Sequence, residues 1–336
     1  NVSINQDTPD ISGSIGSIEV RPQSSLNYTI TATNSAGSRT GRVSVSVPGR
    51  LDLIINEIHY DSNPKTVKTE FIELYNNRTN ELNLSGWEFV EGISYLFPNG
   101  TRLAPGAYFL LAEDATAFES QYGHKPDGIY TGALSNNGEK LVLRDAAGGL
   151  MDEVSYKVGF PWPTASNGEG SSMQLVHAQL DNDLGGSWRP ATPTPGDRNS
   201  IHSEVPPPQV RQVRHNPEQP TSGQQVTIKS KVTDIEEVTE VSLDYQLVSP
   251  GGYIAIDDPR YSTSWTTLPM WDNGKFGDVD AGDSTYTIVL PASVSSHRSL
   301  VRYRISAKNS KGAVITTPMA DDPQPNFAFF CYDGIP

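Results

Sequence analysis

Apolar side chains in this chain recur at every second residue, and almost nowhere at the 3.6-residue spacing of a helix. Leu53-Ile-Ile-Asn-Glu-Ile-His-Tyr60, Glu70-Phe-Ile-Glu-Leu-Tyr75, Ala107-Tyr-Phe-Leu-Leu111, Lys140-Leu-Val-Leu-Arg144 and Gln225-Val-Thr-Ile-Lys-Ser-Lys-Val232 all read as strands. Turn signals at Pro98-Asn-Gly100, Asn137-Gly138 and Asp272-Asn-Gly274 interrupt them. One short helix is expected, from the N-cap Asp114 through Tyr122 to a stop at Gly123. The period predicts an all-β chain. Its 336 residues exceed what one β-core ordinarily organises, so several units are expected.

Two breaks and one repeat set the division. Pro48-Gly49-Arg50 closes one strand run, and Thr192-Pro-Thr-Pro-Gly-Asp197 with Pro206-Pro-Pro208 brackets a stretch unfit for regular ladder bonding. Tyr28-Thr-Ile-Thr-Ala-Thr-Asn-Ser-Ala-Gly37 matches Tyr303-Arg-Ile-Ser-Ala-Lys-Asn-Ser-Lys-Gly312. In each copy Tyr, Ile and Ala share a strand face and Asn-Ser-x-Gly supplies a tight turn, with Val43-Ser-Val-Ser-Val47 returning after the first. This is the end of an immunoglobulin-like sandwich met twice. The expectation is tandem immunoglobulin-like β-sandwiches: 1–49 the C-terminal part of one, 50–203 a second, 204–336 a third.

The net charge of −14 concentrates in the middle of the chain, and no Lys/Arg cluster offsets it, which argues against nucleic acid as a partner. No run of eighteen apolar residues predicts a membrane span. The single cysteine, Cys331, cannot form an internal disulfide and reads as a small buried apolar side chain. Histidines 59, 124, 177, 202, 215 and 297 are scattered, none at His-x-x-x-His spacing. No Gly-x-Ser-x-Gly, phosphate-loop or dinucleotide fingerprint is present.

Ile54-Ile-Asn-Glu-Ile58, Glu70-Phe-Ile-Glu-Leu-Tyr-Asn76, Leu82-Asn-Leu-Ser-Gly-Trp87 and Tyr95-Leu-Phe-Pro-Asn-Gly100 follow one another in a fixed order. Asn136-Asn-Gly-Glu139, Asp152-Glu-Val-Ser-Tyr156, Pro161-Trp-Pro163, Ser187-Trp188 and Thr194-Pro-Gly-Asp-Arg-Asn199 continue it. Residues from about 52 to 199 thereby resemble the lamin tail domain family in its secreted bacterial form. The resemblance implies an immunoglobulin-like fold and an interaction module. Trp87, Phe97, Phe109, Leu111, Leu141 and Leu143 are expected on one buried sheet face, with Gly86, Gly106 and Gly138 in turns. Glu57 and Glu73 invite a paired-carboxylate catalytic reading, set against the plainer one that they bond loop backbone. The run Asp321–Gly334 resembles the segment that, in exported bacterial proteins, precedes a kinase-like domain related to the spore coat protein H family.

Asp272, Asp278, Asp280 and Asp283 crowd four carboxylates among glycines, as a hard cation requires, and calcium is the cation expected. The spacing is not that of an EF-hand, and the same residues also read as an acidic hairpin capping its own turns. Asp181-x-Asp183, Asp257-Asp258 and Asp321-Asp322 read as solvated loops. The function expected is that of a non-catalytic interaction or structural region of a large secreted or cell-surface bacterial protein. Its partner would be a protein or a cell-surface polysaccharide; the alternative is a set of carbohydrate-binding modules of an extracellular enzyme.

Overall fold

The computed structural model describes residues 2–4, 26–34, 37–45, 53–320, 322 and 324–334. The break at Pro48-Gly49-Arg50, the turn residues Ser35 and Ala36, and Asp321 fall outside them. At the N-terminal end β1 (Val2–Ile4), β2 (Leu26–Asn34) and β3 (Gly37–Val45) form an antiparallel sheet in the order β1-β2-β3. Tyr28, Ile30 and Ala32 lie at alternate registers of β2, opposite Val43, Gly41 and Arg39.

The middle of the chain carries β4 (Leu53–His59), β5 (Phe71–Asn76), β6 (Leu82–Asn83), β7 (Glu88–Glu91), β8 (Tyr95–Leu96), β9 (Arg102–Leu103) and β10 (Tyr108–Ala112). After α1 (Ala115–Tyr122) come β11 (Gly128–Ile129), β12 (Glu139–Arg144), β13 (Leu150–Tyr156), β14 (Ser172–Leu175) and β15 (Trp188–Ala191). A six-stranded sheet in the order β11-β10-β5-β4-β14-β15 faces a four-stranded sheet, β13-β12-β7-β8, and β6 pairs with β9. Trp87, Phe97, Phe109, Leu111, Leu141 and Leu143 are all buried in the core between the sheets, beside Tyr60, Tyr156 and Trp188.

The last segment carries β16 (Gln209–Asn216), β17 (Val226–Thr233), β18 (Val238–Val248), α2 (Pro259–Thr263), β19 (Thr266–Pro269) and β20 (Thr285–Leu290). It ends with β21 (Leu300–Asn309), β22 (Val314–Thr317) and β23 (Phe327–Phe330). Sheet β16-β17-β20 encloses a second core against β19-β18-β21-β22, with β23 also on β21. Tyr303, Ile305 and Ala307 of the repeat are buried there, as their alternation predicts, and Cys331 is buried as well. The chain is thus all-β, in tandem sandwiches.

The one expected helix, α1, has its expected ends. Asp114 accepts a hydrogen bond from the Ala117 N–H, and Gly123 closes the helix at φ 80°. A second helix, α2, was not expected. Its five residues are too few to show a period, and it begins on Pro259 with Asp258 as N-cap. The strict in/out alternation also fails on β4, where all seven residues are buried. The physical reason is that both faces are covered: on the outer side of the sheet the Tyr122 hydroxyl of α1 lies 3.2 Å from His59 Nδ1, and the Thr194 N–H bonds Glu57.

Gly138 turns the chain from the 135–138 loop into β12 at φ +87°, where an added Cβ would lie 2.6 Å from the Tyr156 carbonyl oxygen. Gly148, at φ +83°, has open space around its Cβ position. Gly148→Ala should therefore lose only the left-handed backbone cost, about 1–2 kcal/mol. Gly138→Ala should lose that and a clash with backbone, which cannot move aside cheaply. Urea unfolding of both variants checks this, and equal losses would show that the contact at Gly138 is relieved at no cost.

Candidate functional site

The β4–β5 register slips between Ile55 and Glu57, so that Ile55 pairs with Leu74 and Glu57 with Glu73, leaving Asn56 as an extra residue. This bulge reverses the facing of the strand. Ile55 points with Leu74 into the core, while Glu57 and Glu73 stand together on the outer face, both fully buried.

The cover over them is the 192–200 loop. Glu57 Oε1 accepts hydrogen bonds from the Thr194 N–H at 3.0 Å and from Gln174 Nε2 at 3.3 Å, besides the Ser172 hydroxyl. The Thr194 hydroxyl donates to Glu57 Oε2. Glu73 accepts from Asn56 Nδ2 at 2.8 Å and from the Gly196 N–H at 2.7 Å. Asn199 Nδ2 donates back to the Asn56 and Leu175 carbonyls. On the core side of the bulge, Asp152 Oδ2 takes the Ile55 N–H at 2.6 Å and Asn182 Nδ2 at 2.8 Å.

Every hydrogen-bond partner of Glu57 and Glu73 named above is an amide or a hydroxyl; none is cationic. Burial raises the Glu57 carboxyl above the ordinary value, against its four hydrogen bonds. Burial, and then the neighbouring Glu57, hold Glu73 well above it. Complete burial lifts Asp152 to about 7. Sealed from solvent, the pair binds a loop to a sheet, which is the plainer of the two readings open from sequence.

The outer face of the large sheet is covered by α1 at one end and by the 192–200 loop in its middle. At the other end Tyr108 and Tyr75, direct cross-strand partners, remain half-exposed with ring centroids 5.2 Å apart. They line a cleft of about 410 Å³ with His177, His202, Arg198 and Glu204. The two imidazoles are 5.4 Å apart. Burial depresses both, the Arg198 charge adds to that and the Glu204 charge only partly opposes it, so the neutral imidazole is favoured in each. Burial pushes the Tyr108 phenol up to about 12. No sequence spacing joins these residues; their strands and loops meet only in the fold.

The acidic loop lies between β19 and β20. One oxygen from each of Asp272, Asp278 and Asp283 falls within 4.8 Å of the others. Asp280, expected with them, is exposed and outside that group. Asp272 accepts the N–H groups of Gly282, Asp283 and Ser284. Asp278 accepts the Gly274 N–H at 2.7 Å, and Asp283 the Thr285 N–H at 2.7 Å. Lys231 Nζ donates to the Asp283 carbonyl. The carboxylates thus cap their own turns while leaving oxygens turned toward one another. Two of the other acidic residues expected in plain solvated loops also have partners. Asp183 accepts the Ser155 N–H at 2.6 Å, and Asp258 caps α2 and pairs with Arg260.

Residues 46–158 match the family model described as Lamin Tail Domain. No curated protein matches the chain. Among solved structures, the chicken CNTN1 FN1–FN3 domains align over 91% of this chain and 77% of that one, at 10% identity and a TM-score of 0.22. A Ca2+-stabilized adhesin that helps an Antarctic bacterium reach out and bind ice aligns over 92% of this chain and 56% of that one, at 9% identity and 0.21. A 1.5-MDa bacterial ice-binding adhesin aligns over 93% and 74%, at 8% and 0.21. At such scores these alignments carry no argument about function.

A carboxyl whose pKa rises on folding stabilises the native state while it is protonated, and that contribution is lost as pH climbs through the folded value. For Asp152 and Glu70 the window runs from the ordinary 3.8 and 4.5 up to about 7. Buried His59 acts in the opposite sense below its ordinary 6.5, so the comparison belongs above that value. The chain should melt at a higher temperature at about pH 6.5 than at about pH 8.5, a tenfold difference in proton affinity between folded and unfolded chain being worth about 1.4 kcal/mol. Asp152→Asn should narrow the gap. A gap unchanged in that variant would show that Asp152 does not titrate in this range.

Proposed function

We propose that this chain is a non-catalytic interaction and structural region of a larger secreted or cell-surface protein of bacterial type. On this reading it divides near 49 and near 203, into the C-terminal part of an immunoglobulin-like domain, a lamin tail domain and a second immunoglobulin-like domain. The observation that carries the reading is the use made of Glu57 and Glu73. The one paired-carboxylate constellation singled out in the sequence is buried and hydrogen-bonded to the loop that covers it, where no substrate can reach it. Among the described residues no helix is long and apolar enough to cross a membrane, and the acidic surface repels polyanions. The partner is a protein or polysaccharide of the cell surface. Binding of the labelled chain to intact cells tests this, and failure to bind any cell surface, or turnover of a substrate by the isolated chain, would overturn it.

Calcium at the loop of Asp272, Asp278 and Asp283 belongs to the same reading. A bound ion would take oxygens at about 2.3–2.6 Å and relieve the mutual repulsion of the clustered carboxylates. It would raise stability by roughly 2.7 kcal/mol at a hundred times its dissociation constant. The melting temperature should therefore be higher in millimolar calcium than in chelator. Asp278→Asn keeps an acceptor for the Gly274 N–H and removes a charge, so it should abolish the difference. Identical melting of the wild type in both conditions would leave the loop as an acidic turn.

A further inference from the structure

The cleft beside Tyr75 and Tyr108 has the parts of a site for an uncharged ligand. Its floor is an aromatic shelf. The two phenol rings are cross-strand neighbours inclined at 36°, each anchored on one side in the sheet and half-open on the other. Its walls are planar polar side chains: Asn77 and Gln179, and the ion pair of Arg198 with Glu204. The pair offers donors and acceptors side by side with no net charge. A cleft of about 410 Å³ is the size of an ordinary small-ligand site.

We propose that this cleft binds a neutral pyranose unit of a polysaccharide. The proposal rests on the reading of the chain as an interaction region and names the ligand class of one site in it. A pyranose has an apolar face of C–H groups and a rim of hydroxyls. The face lies on the tyrosine shelf, and the rim exchanges hydrogen bonds with Asn77, Gln179, Arg198 and Glu204. Charge selects against the acidic alternative. The cleft holds one cation already paired with one anion, its imidazoles favour the neutral form, and the chain carries a net charge of −14. An anionic sugar would find no unspent positive charge.

A peptide is disfavoured by topology. An extended peptide binds strongly by adding to a free strand edge. Tyr75 belongs to β5, which β4 and β10 pair on both sides. The outer edge of β10 is taken by β11 at Leu111 and Ala112 and by Asp127 at Leu110, so the stretch left at Tyr108 is too short to take an added strand. The loop that walls the cleft is itself tied down, since Gly196 and Thr194 are bonded to the buried Glu73 and Glu57. The site is therefore preorganised, and a sugar need not order it on binding.

The test is titration calorimetry of the full chain with cellohexaose, laminarihexaose and mannohexaose, and with hexagalacturonate as the charged comparison. At least one neutral hexasaccharide should bind, and hexagalacturonate should bind more weakly. Tyr108→Ala should weaken binding roughly tenfold, the size of one lost ring contact, while Tyr108→Phe keeps it. Arg198→Ala, at an exposed position clear of the core, should also weaken it and serves if Tyr108→Ala fails to fold. The proposal is overturned if no neutral hexasaccharide binds at millimolar concentration, if neither alanine variant changes the affinity, if the uronate binds best, or if an extended peptide competes at the same residues. Cell-surface binding that survives Tyr108→Ala would sink this site and leave the broader interaction reading standing.

Discussion

One inserted residue, Asn56, organises the middle of the molecule. Ile55 and Glu57 are two apart, and in a regular strand they would face the same way. The bulge puts Ile55 opposite Leu74 in the core and Glu57 opposite Glu73 on the outer face. A regular ladder would drive either a carboxylate into the apolar layer or an isoleucine out of it. The bulge also frees the Ile55 N–H for Asp152, and Asp152 in turn holds Asn182, whose carbonyl accepts the indole N–H of the buried Trp188. Both sheets are therefore tied to the same irregularity.

Burying three carboxyl groups around that point is costly, because each must shed water and none is offset by a cation. The arrangement persists because almost every oxygen meets an N–H or O–H donor, and because the donors come from far along the chain. Ser172, Gln174, Thr194 and Gly196 all converge on Glu57 and Glu73. An apolar patch could cover the sheet equally well, but it would not fix which loop lies there or in what register. Directional hydrogen bonds do.

The amino-acid pattern carried the fold well where structure is local. Period-two alternation located β4, β5, β10, β12 and β17 to within a residue or two, whereas the return strand expected at 43–47 already begins at Gly37. The Asp114 cap and Gly123 stop delimited α1. The crowding of the acidic loop was also visible, although only three of its four aspartates converge. What the sequence could not show is what covers a face. Alternation says which residues share a side of a strand, yet it cannot tell a solvated side from one roofed by a loop more than a hundred residues away. Asn56-Glu57 looks like an ordinary polar pair, and a one-residue bulge leaves the flanking alternation almost undisturbed. Tyr75, His177 and Arg198 have no spacing in common, so their cleft had no linear signature. The segment around Asp258 escaped because one helical turn is shorter than the period that would announce it.

The large sheet grades from sealed to open along its outer face, and the proposed sugar site lies at the open end. Under α1, Phe71, Leu110 and Phe118 form a small apolar cluster. Under the 192–200 loop the cover becomes polar and is held by Glu57 and Glu73. Beyond the loop Tyr75 and Tyr108 are left without a roof, and the wall beside them is Arg198, two residues past the Gly196 that Glu73 anchors. The buried carboxylates and the open cleft are therefore parts of one device. Glu57 and Glu73 touch no partner, but they fix the backbone from which Arg198 projects and to which Asn199 is pinned. A recognition surface made of loops needs such a fixed base to hold one shape. Here the base is polar, which lets it set direction as well as distance.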